Sequence, residues 1–301
     1  MAATLATPFS FATTPRLSKA IIQERKTTII RHIQNALPSH GEAIVTDPRF
    51  TFEPRLVRRL TRIPPQKPKP RPRNDFDYVL GAWAKFRGPL FVKENEAVLT
   101  RAELQFGVPK EIIVGILNAE TQFGDGTKGT YPIVPSLYTI AVYRPDFQYP
   151  GWAEEELIIF LKTFERLGGD PLVEKGSWTG ARGKPQFEPS SYEDLAMHYD
   201  GTVCVNAKVS PVPPDLLDND DAICSIGNYL RAMRWGKSDT SQIDALHRYN
   251  KCLAYGAAIR DFADYLAGRP NVHRYTLTSE RKKKMRSNLR HVKTTTRAAI
   301  K

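Results

Sequence analysis

Residues 109–124, PKEIIVGILNAETQFG, read as one helix that opens with a proline in its first turn and closes at Gly124. Ile113, Ile116, Leu117 and Glu120 recur at i, i+3, i+4 and i+7 and so share one helical face. That face places a carboxylate on an apolar stripe. Burial disfavours the charged form, and the last helical turn adds the negative end of the helix dipole, so both effects raise the pKa of Glu120. Such an environment suits a general acid near neutral pH. The plainer alternative is an acid at the rim of the core paired with one of the many arginines.

Working outward, helical signals dominate the flanks. Residues 93–106 and 154–167 carry helical spacing, the second with Leu157, Phe160, Leu161 and Phe164 and a Gly168-Gly169 stop. Ser190 with Glu193 forms a capping-box pattern for a short helix through His198. Asp218 can cap a helix striped by Ile223, Ile226, Leu230 and Met233, and residues 254–266 make a last core helix before Gly268 and Pro270. Strand patterns are weaker, with residues 201–209 the best extended candidate, and no solenoid period repeats. The expected fold is mainly α, a helical domain with at most a small sheet.

The proline-basic run IPPQKPKPRPR at residues 63–73 excludes helix and favours an extended linker. It divides a loosely structured leader (residues 1–50) and a short helix (from residue 51) from a main domain at residues 74–270. Residues 271–301 hold ten Lys/Arg against one acid, Glu280, and supply nine of the twelve net positive charges. This tail reads either as a solvated appendage or as a site for an anionic partner: nucleic acid, an acidic membrane surface or a wall polymer. No apolar run reaches the roughly 18 residues of a transmembrane helix, and the N-terminal stretch lacks the basic region of a signal peptide. The three cysteines, Cys204, Cys224 and Cys252, are odd in number and without CxxC spacing, so small buried thiols are expected rather than a disulfide framework or a zinc site.

Two further segments carry polar chemistry. GSWTGARGKPQFEPSSY at residues 176–192 is a structured glycine-rich loop with Ser177, Gln186 and Phe187, a set able to bind a sugar, although an ordinary long turn fits equally. RYNKCLAYG at residues 248–256 presents Tyr249, Asn250 and Tyr255, suited to the apolar faces and hydroxyl edges of sugar rings or simply to core packing.

Taken in order, ETQFG, GSWTGARGKPQFEPSSY and YNKCLAY resemble the signature segments of the membrane-bound lytic murein transglycosylase B family, and residues 95–120 and 220–236 fit it as well. The resemblance runs from about residue 76 to 268. It implies a lysozyme-like (α+β) fold, a peptidoglycan glycan strand as substrate and Glu120 as the single catalytic carboxylate. It places Ser177, Gln186, Phe187, Tyr229, Tyr249, Asn250 and Tyr255 along the groove. It implies cleavage without water between N-acetylmuramic acid and N-acetylglucosamine, leaving a 1,6-anhydro end, with no cofactor. A monomer in the periplasm or cell envelope is expected. This sequence departs from the family in several places. DGTVCVNAKVS from Asp200 stands where many members carry a calcium loop, so no metal is expected. Arg182, Lys184 and Glu188 replace residues that are more often apolar or small. The span from Trp235 to Tyr249 is short, and no lipobox cysteine is seen. The rivals are a hydrolytic muramidase that recruits a second acid, with Asp125 and Asp194 nearest in sequence, and a non-catalytic glycan- or nucleic-acid-binding module acting through the tail.

Overall fold

The computed structural model describes residues 17–61, 76–126 and 128–270. The proline-basic run and the basic tail lie outside these residues. Twelve helices are formed among them. Helices α1 (Lys19–Ala36), α2 (Gly41–Thr46) and α3 (Pro54–Thr61) are followed by a 3-10 turn at Asp77–Leu80 and by α4 (Ala82–Glu94), α5 (Glu96–Phe106) and α6 (Lys110–Thr121). Then come α7 (Ile133–Tyr143), α8 (Trp152–Leu167), α9 (Pro189–Leu195), α10 (Asn219–Ala232), α11 (Asp239–Tyr249) and α12 (Leu253–Leu266). Two minimal antiparallel pairs complete the described residues: β1 (Tyr131–Pro132) with β2 (Lys175–Gly176), and β3 (Met197–Tyr199) with β4 (Cys204–Asn206). The mainly α expectation holds, with β4 inside the segment read as extended.

The decisive helix, α6, is buried on every side from Ile112 to Ala119, as a helix apolar all round should be. Gly115 admits α12 closely, since a Cβ there would stand 2.9 Å from Ile259 Cγ2. Around α6 one core gathers α4, α5, α10, α11 and α12 with Phe91, Leu99, Ile223 and Phe262. A second core joins α7 and α8 to α1 and α3 through Ile29, Ile33, Leu37, Leu56, Leu137 and Phe160. A small third cluster, including Phe187, Tyr192 and Leu216, lies under the glycine-rich loop.

Several expectations are corrected. The leader is not loose from Lys19 onward: α1 is capped by Ser18, buries Ile29 and Ile33, and ties to α7 through Arg25, which donates to Val142 O at 2.8 Å. Its isoleucines from Ile21 to Ile33 carry helical spacing, and the partner helices α7 and α8 supply the surface that buries Ile29 and Ile33. Residues 93–106 are not one helix, because the chain breaks at Asn95, whose amide returns to Phe91 O at 2.8 Å. The capping box at Ser190 and Glu193 does not form. Ser190 N–H and hydroxyl donate instead to the buried Glu156 carboxylate on α8, at 2.8 and 2.7 Å, while Glu193 accepts from Thr163 and Arg166. A tertiary carboxylate thus replaces the local cap. Asp218 caps α10 as expected, accepting from Asp220 N and Asp221 N.

The expectation of three free thiols also fails. Cys204 and Cys224 form a disulfide, with Cα atoms 5.7 Å apart, and Cys252 alone is free. The hairpin of β3 and β4 lies across α10 and brings together two residues twenty positions apart, a proximity that spacing rules do not encode.

Candidate active site

The C-terminal turn of α6 is pinned from two sides before it presents its acid. Asn118 donates to Val79 O at 2.8 Å, and the Tyr78 phenol to Ala119 O at 2.6 Å. Directly after the helix, Gln122 and Phe123 both hold positive φ, 50° and 63°, a left-handed pair that turns the chain sharply. Thr121 then donates to Lys184 O at 3.0 Å, tying the end of α6 to the glycine-rich loop. Two strained, non-glycine residues next to Glu120 mark a place where surrounding structure overrides local preference.

Glu120 lines a cavity of about 360 Å³ between the two main cores, floored by the glycine-rich loop. The Tyr255 phenol donates to its Oε1 at 2.7 Å. Burial pushes the Glu120 carboxyl up to about 7, against the lowering effect of that hydrogen bond. The carboxyl is therefore poised to give and recover a proton near neutrality.

The structure brings most of the expected site residues together. Tyr249 stacks on Tyr255 at 6.3 Å and donates to Pro185 O at 2.6 Å, while Tyr229 meets Tyr249 edge-on at 4.7 Å and Phe187 at 5.6 Å. Gln186, at φ 54°, donates to Gly183 O at 2.8 Å and to Lys128 O at 3.2 Å, so its amide braces the loop while lining the cavity. Asn250 lines the same cavity. Ser177 does not: it is buried, and its hydroxyl accepts from Ala181 N at 3.0 Å and Thr179 N at 3.3 Å, shaping the loop from within. Tyr255 is buried behind Glu120 and holds it rather than facing the groove.

Residues that sequence reasoning missed lie at the other end of the cavity. Glu156, Gln148, Thr179 and Lys251 line it together with Glu188, the residue noted above as unusual for its place. Gln148, at φ 53°, donates to Glu188 Oε1 at 3.0 Å and accepts from Lys251 Nζ at 2.8 Å. Burial pushes Glu188 up to about 7, reinforced by the charge of Glu156 and opposed by Gln148, Lys251 and Trp152. Glu156 is also raised, by burial, against the bonds from Ser190. Only the glutamate within an otherwise polar, glycine-rich loop could have signalled this second acidic region.

The acids weighed for a hydrolytic mechanism stand elsewhere. Asp194 pairs with Lys208 at 2.8 Å, and Asp125 lies 3.9 Å from Arg87; neither lines the cavity. The turn at Asp200 does not fit a calcium ion. Its Oδ1 accepts from Thr202 N, the Thr202 hydroxyl and Val203 N, and the nearby Asp221 accepts from Tyr199 N and Asp215 N. With Asp200 Oδ1 and both Asp221 oxygens taken by these donors, few oxygens remain for a hard cation, which needs six to eight.

Comparison with known proteins agrees with this geometry. Residues 49–247 match the family model described as "Transglycosylase SLT domain". The membrane-bound lytic murein transglycosylase B of Escherichia coli K12 is 38% identical over 173 residues, which cover 53% of this chain and 44% of that protein. The chain thus spans less than half the length of that curated relative. Among solved structures, the Pseudomonas aeruginosa soluble lytic transglycosylase SltB1 superposes with a TM-score of 0.67 at 22% identity, covering 81% of this chain and 98% of that one. The E. coli lytic transglycosylase SLT35, bound to bulgecin A, gives 0.64 at 23% identity, covering 81% and 92%. At those identities the superpositions establish the shared lysozyme-like fold. With the family model matching two thirds of its residues, the chain belongs to the transglycosylase SLT domain family.

Proposed function

We propose that this protein is a peptidoglycan lytic transglycosylase in which Glu120 is the single acid/base. The observation that carries the proposal is the Glu120 carboxyl itself: buried at the end of α6, raised to about 7, held by Tyr255 and facing a groove of tyrosine and amide side chains. A family relative bearing the name lytic murein transglycosylase supports the substrate class.

In this reading the protonated Glu120 gives its proton to the glycosidic oxygen between N-acetylmuramic acid and N-acetylglucosamine as the bond to C1 breaks. The substrate acetamido group covers C1 in the interval. The carboxylate left on Glu120 then takes the proton of the muramoyl 6-hydroxyl while O6 bonds to C1 and displaces the acetamido oxygen. The proton count returns to its start, no water is consumed, and a 1,6-anhydro end remains. The role of a second carboxylate in ordinary glycosidases passes to the substrate. Tyr229, Tyr249, Phe187, Gln186 and Asn250 supply the sugar-facing wall, and Tyr255 and Ser177 hold the acid and the loop. Work in the cell envelope accords with the Cys204–Cys224 disulfide, because such bonds persist in oxidising compartments.

The deciding experiment is mass spectrometry of muropeptides released from purified sacculi by the protein and by Glu120→Gln. Anhydro-muramoyl ends that disappear in the variant are expected. Reducing ends would assign hydrolysis instead, and no release by folded protein would remove the enzymatic reading.

A further inference from the structure

Helix α4 is apolar on two sides. Ala84, Gly88 and Phe91 pack inward, yet the opposite side shows Trp83, Phe86 and Leu90, spaced i, i+3 and i+7, at 48%, 64% and 42% exposure. Tyr78, at 38%, and Tyr265, at 41%, are also exposed, on the 3-10 turn and α12, two of the elements packed against α4. Scattered exposed apolar residues are ordinary, but three on one helical face, with the Trp83 and Phe86 rings in contact, mark an interaction surface.

Charge on and around α4 itself is mixed, with Lys85, Arg87 and Lys93 set against Glu94, Asp77 and Asp125. Lys85 turns towards α12, with its ammonium 5.6 Å from the Tyr265 ring centre, and Lys93 is exposed near the end of α4. Of the nearby acids, Glu94 is paired with Arg87 at 2.8 Å, and Asp77 sits on the 3-10 turn. Residues 62–75 enter the fold at that turn, and residues 271–301 leave it after α12. Positions 62–73 and 271–301 together hold fifteen Lys/Arg against one acid, which leaves the rest of the chain at a net charge of −2. The two strongly basic segments are thus continuous in sequence with two elements that border α4, the 3-10 turn and α12.

We propose that the outer face of α4 docks on an anionic lipid bilayer. Aromatic and aliphatic side chains entering the interface, with cations around them facing headgroups, form the pattern of an interfacial helix. A glycan strand fits less well: the Trp83 and Phe86 rings, 6.0 Å apart, are tilted by 42° and offer no shared platform, and lysines rather than amides flank them. Single-stranded nucleic acid takes its stacking rings in a basic groove, whereas these side chains stand on a convex helix beside Pro89 and Leu90. The inference is independent of the chemistry assigned to Glu120.

The test is cosedimentation of the full chain with vesicles of phosphatidylglycerol and phosphatidylcholine, and of phosphatidylcholine alone. Three variants are compared: Phe86→Ser, Trp83→Ala/Phe86→Ala, and Leu104→Ser as an exposed apolar control on α5. The expected result is binding to the anionic vesicles that weakens with salt, falls by about tenfold or more in the double variant, falls less in Phe86→Ser and is unchanged in Leu104→Ser. Unchanged circular dichroism and unchanged release from sacculi would show that the variants fold. Vesicle binding untouched by both α4 variants would assign it to the basic segments alone and overturn the proposal. No vesicle binding, with the α4 variants instead losing sacculus binding, single-stranded DNA binding or self-association, would overturn it equally.

Discussion

Tyr255→Phe removes one hydroxyl and should move one limb of a pH profile. In the wild type that phenol donates to Glu120 Oε1 at 2.7 Å and favours the ionised carboxylate, while burial favours the protonated acid and prevails, leaving the group at about 7. A hydrogen bond to a charged partner contributes about 1.5 to 3 kcal/mol. Taking the low end of that range and dividing by about 1.4 kcal/mol per pH unit gives an upward displacement of about one unit. In the proposed mechanism Glu120 enters the reaction protonated, so activity should fall as pH rises through its pKa. The alkaline limb of kcat/KM, which reports the free enzyme, should then move from about 7 towards about 8 in the variant. The limb for kcat should follow unless substrate shields the acid. Release of anhydro-muropeptides from sacculi between pH 5 and 9, followed by chromatography, provides the profile. An alkaline limb that stays in place while the variant remains folded would refute the assignment of Tyr255 as the modulator of Glu120. A limb that moves to lower pH would refute the sign of the argument.

Three other perturbations have defined outcomes. Replacing both Cys204 and Cys224 with serine opens a loop of about twenty residues and should lower unfolding free energy by about 3 kcal/mol on the chain-entropy account, read by urea denaturation with and without reductant; no change would mean that β3 and β4 are held by packing alone. Glu188 is raised from 4.5 to about 7, so the folded state holds its proton more tightly than the unfolded chain, and the associated stability, about 3 kcal/mol, is present below 4.5 and lost as pH rises to 7. Glu188→Gln should therefore raise the Tm at pH 8 by roughly 5 °C relative to wild type but change it little at pH 4, as scanning calorimetry can read; an equal gain at both would remove the ionisation argument. Gly183→Ala should cost about 2 kcal/mol or more and lower release from sacculi, because the position holds φ 72° and a Cβ would stand 2.8 Å from Leu216 O in the loop that carries Gln186; wild-type melting and activity would show that the loop yields.

The legible part of this molecule is the part whose physics is local. The stripe of Ile113, Ile116 and Leu117 with Glu120 needs only helical spacing to be read, and the burial it implied for the acid is the main cause of its raised pKa. What stayed hidden depends on chain segments far apart in sequence. Ile29 and Ile33 find a purpose only against helices more than a hundred residues later, and Cys204 meets Cys224 only because a hairpin crosses α10. Ser190 resembles a local cap, but its donors turn to Glu156, since a carboxylate in the interior needs donors more than a helix end near solvent needs an acceptor. The same logic explains the division inside the candidate site. Tyr249 and Asn250 face the groove, while Ser177 and Tyr255, equally polar, turn inward to hold the loop and the acid. A residue type shows which chemistry is available, and burial decides whether it serves the ligand or the scaffold. Glu188 tests that distinction most sharply: it is an acid held near neutrality in the same groove as Glu120, bonded to an amide that also receives Lys251. If it served the scaffold alone, an apolar residue would pack there without the penalty of burying a carboxyl, so a release rate that changes in Glu188→Gln while KM stays fixed would place it with the chemistry, and a change in Tm alone would place it with the walls.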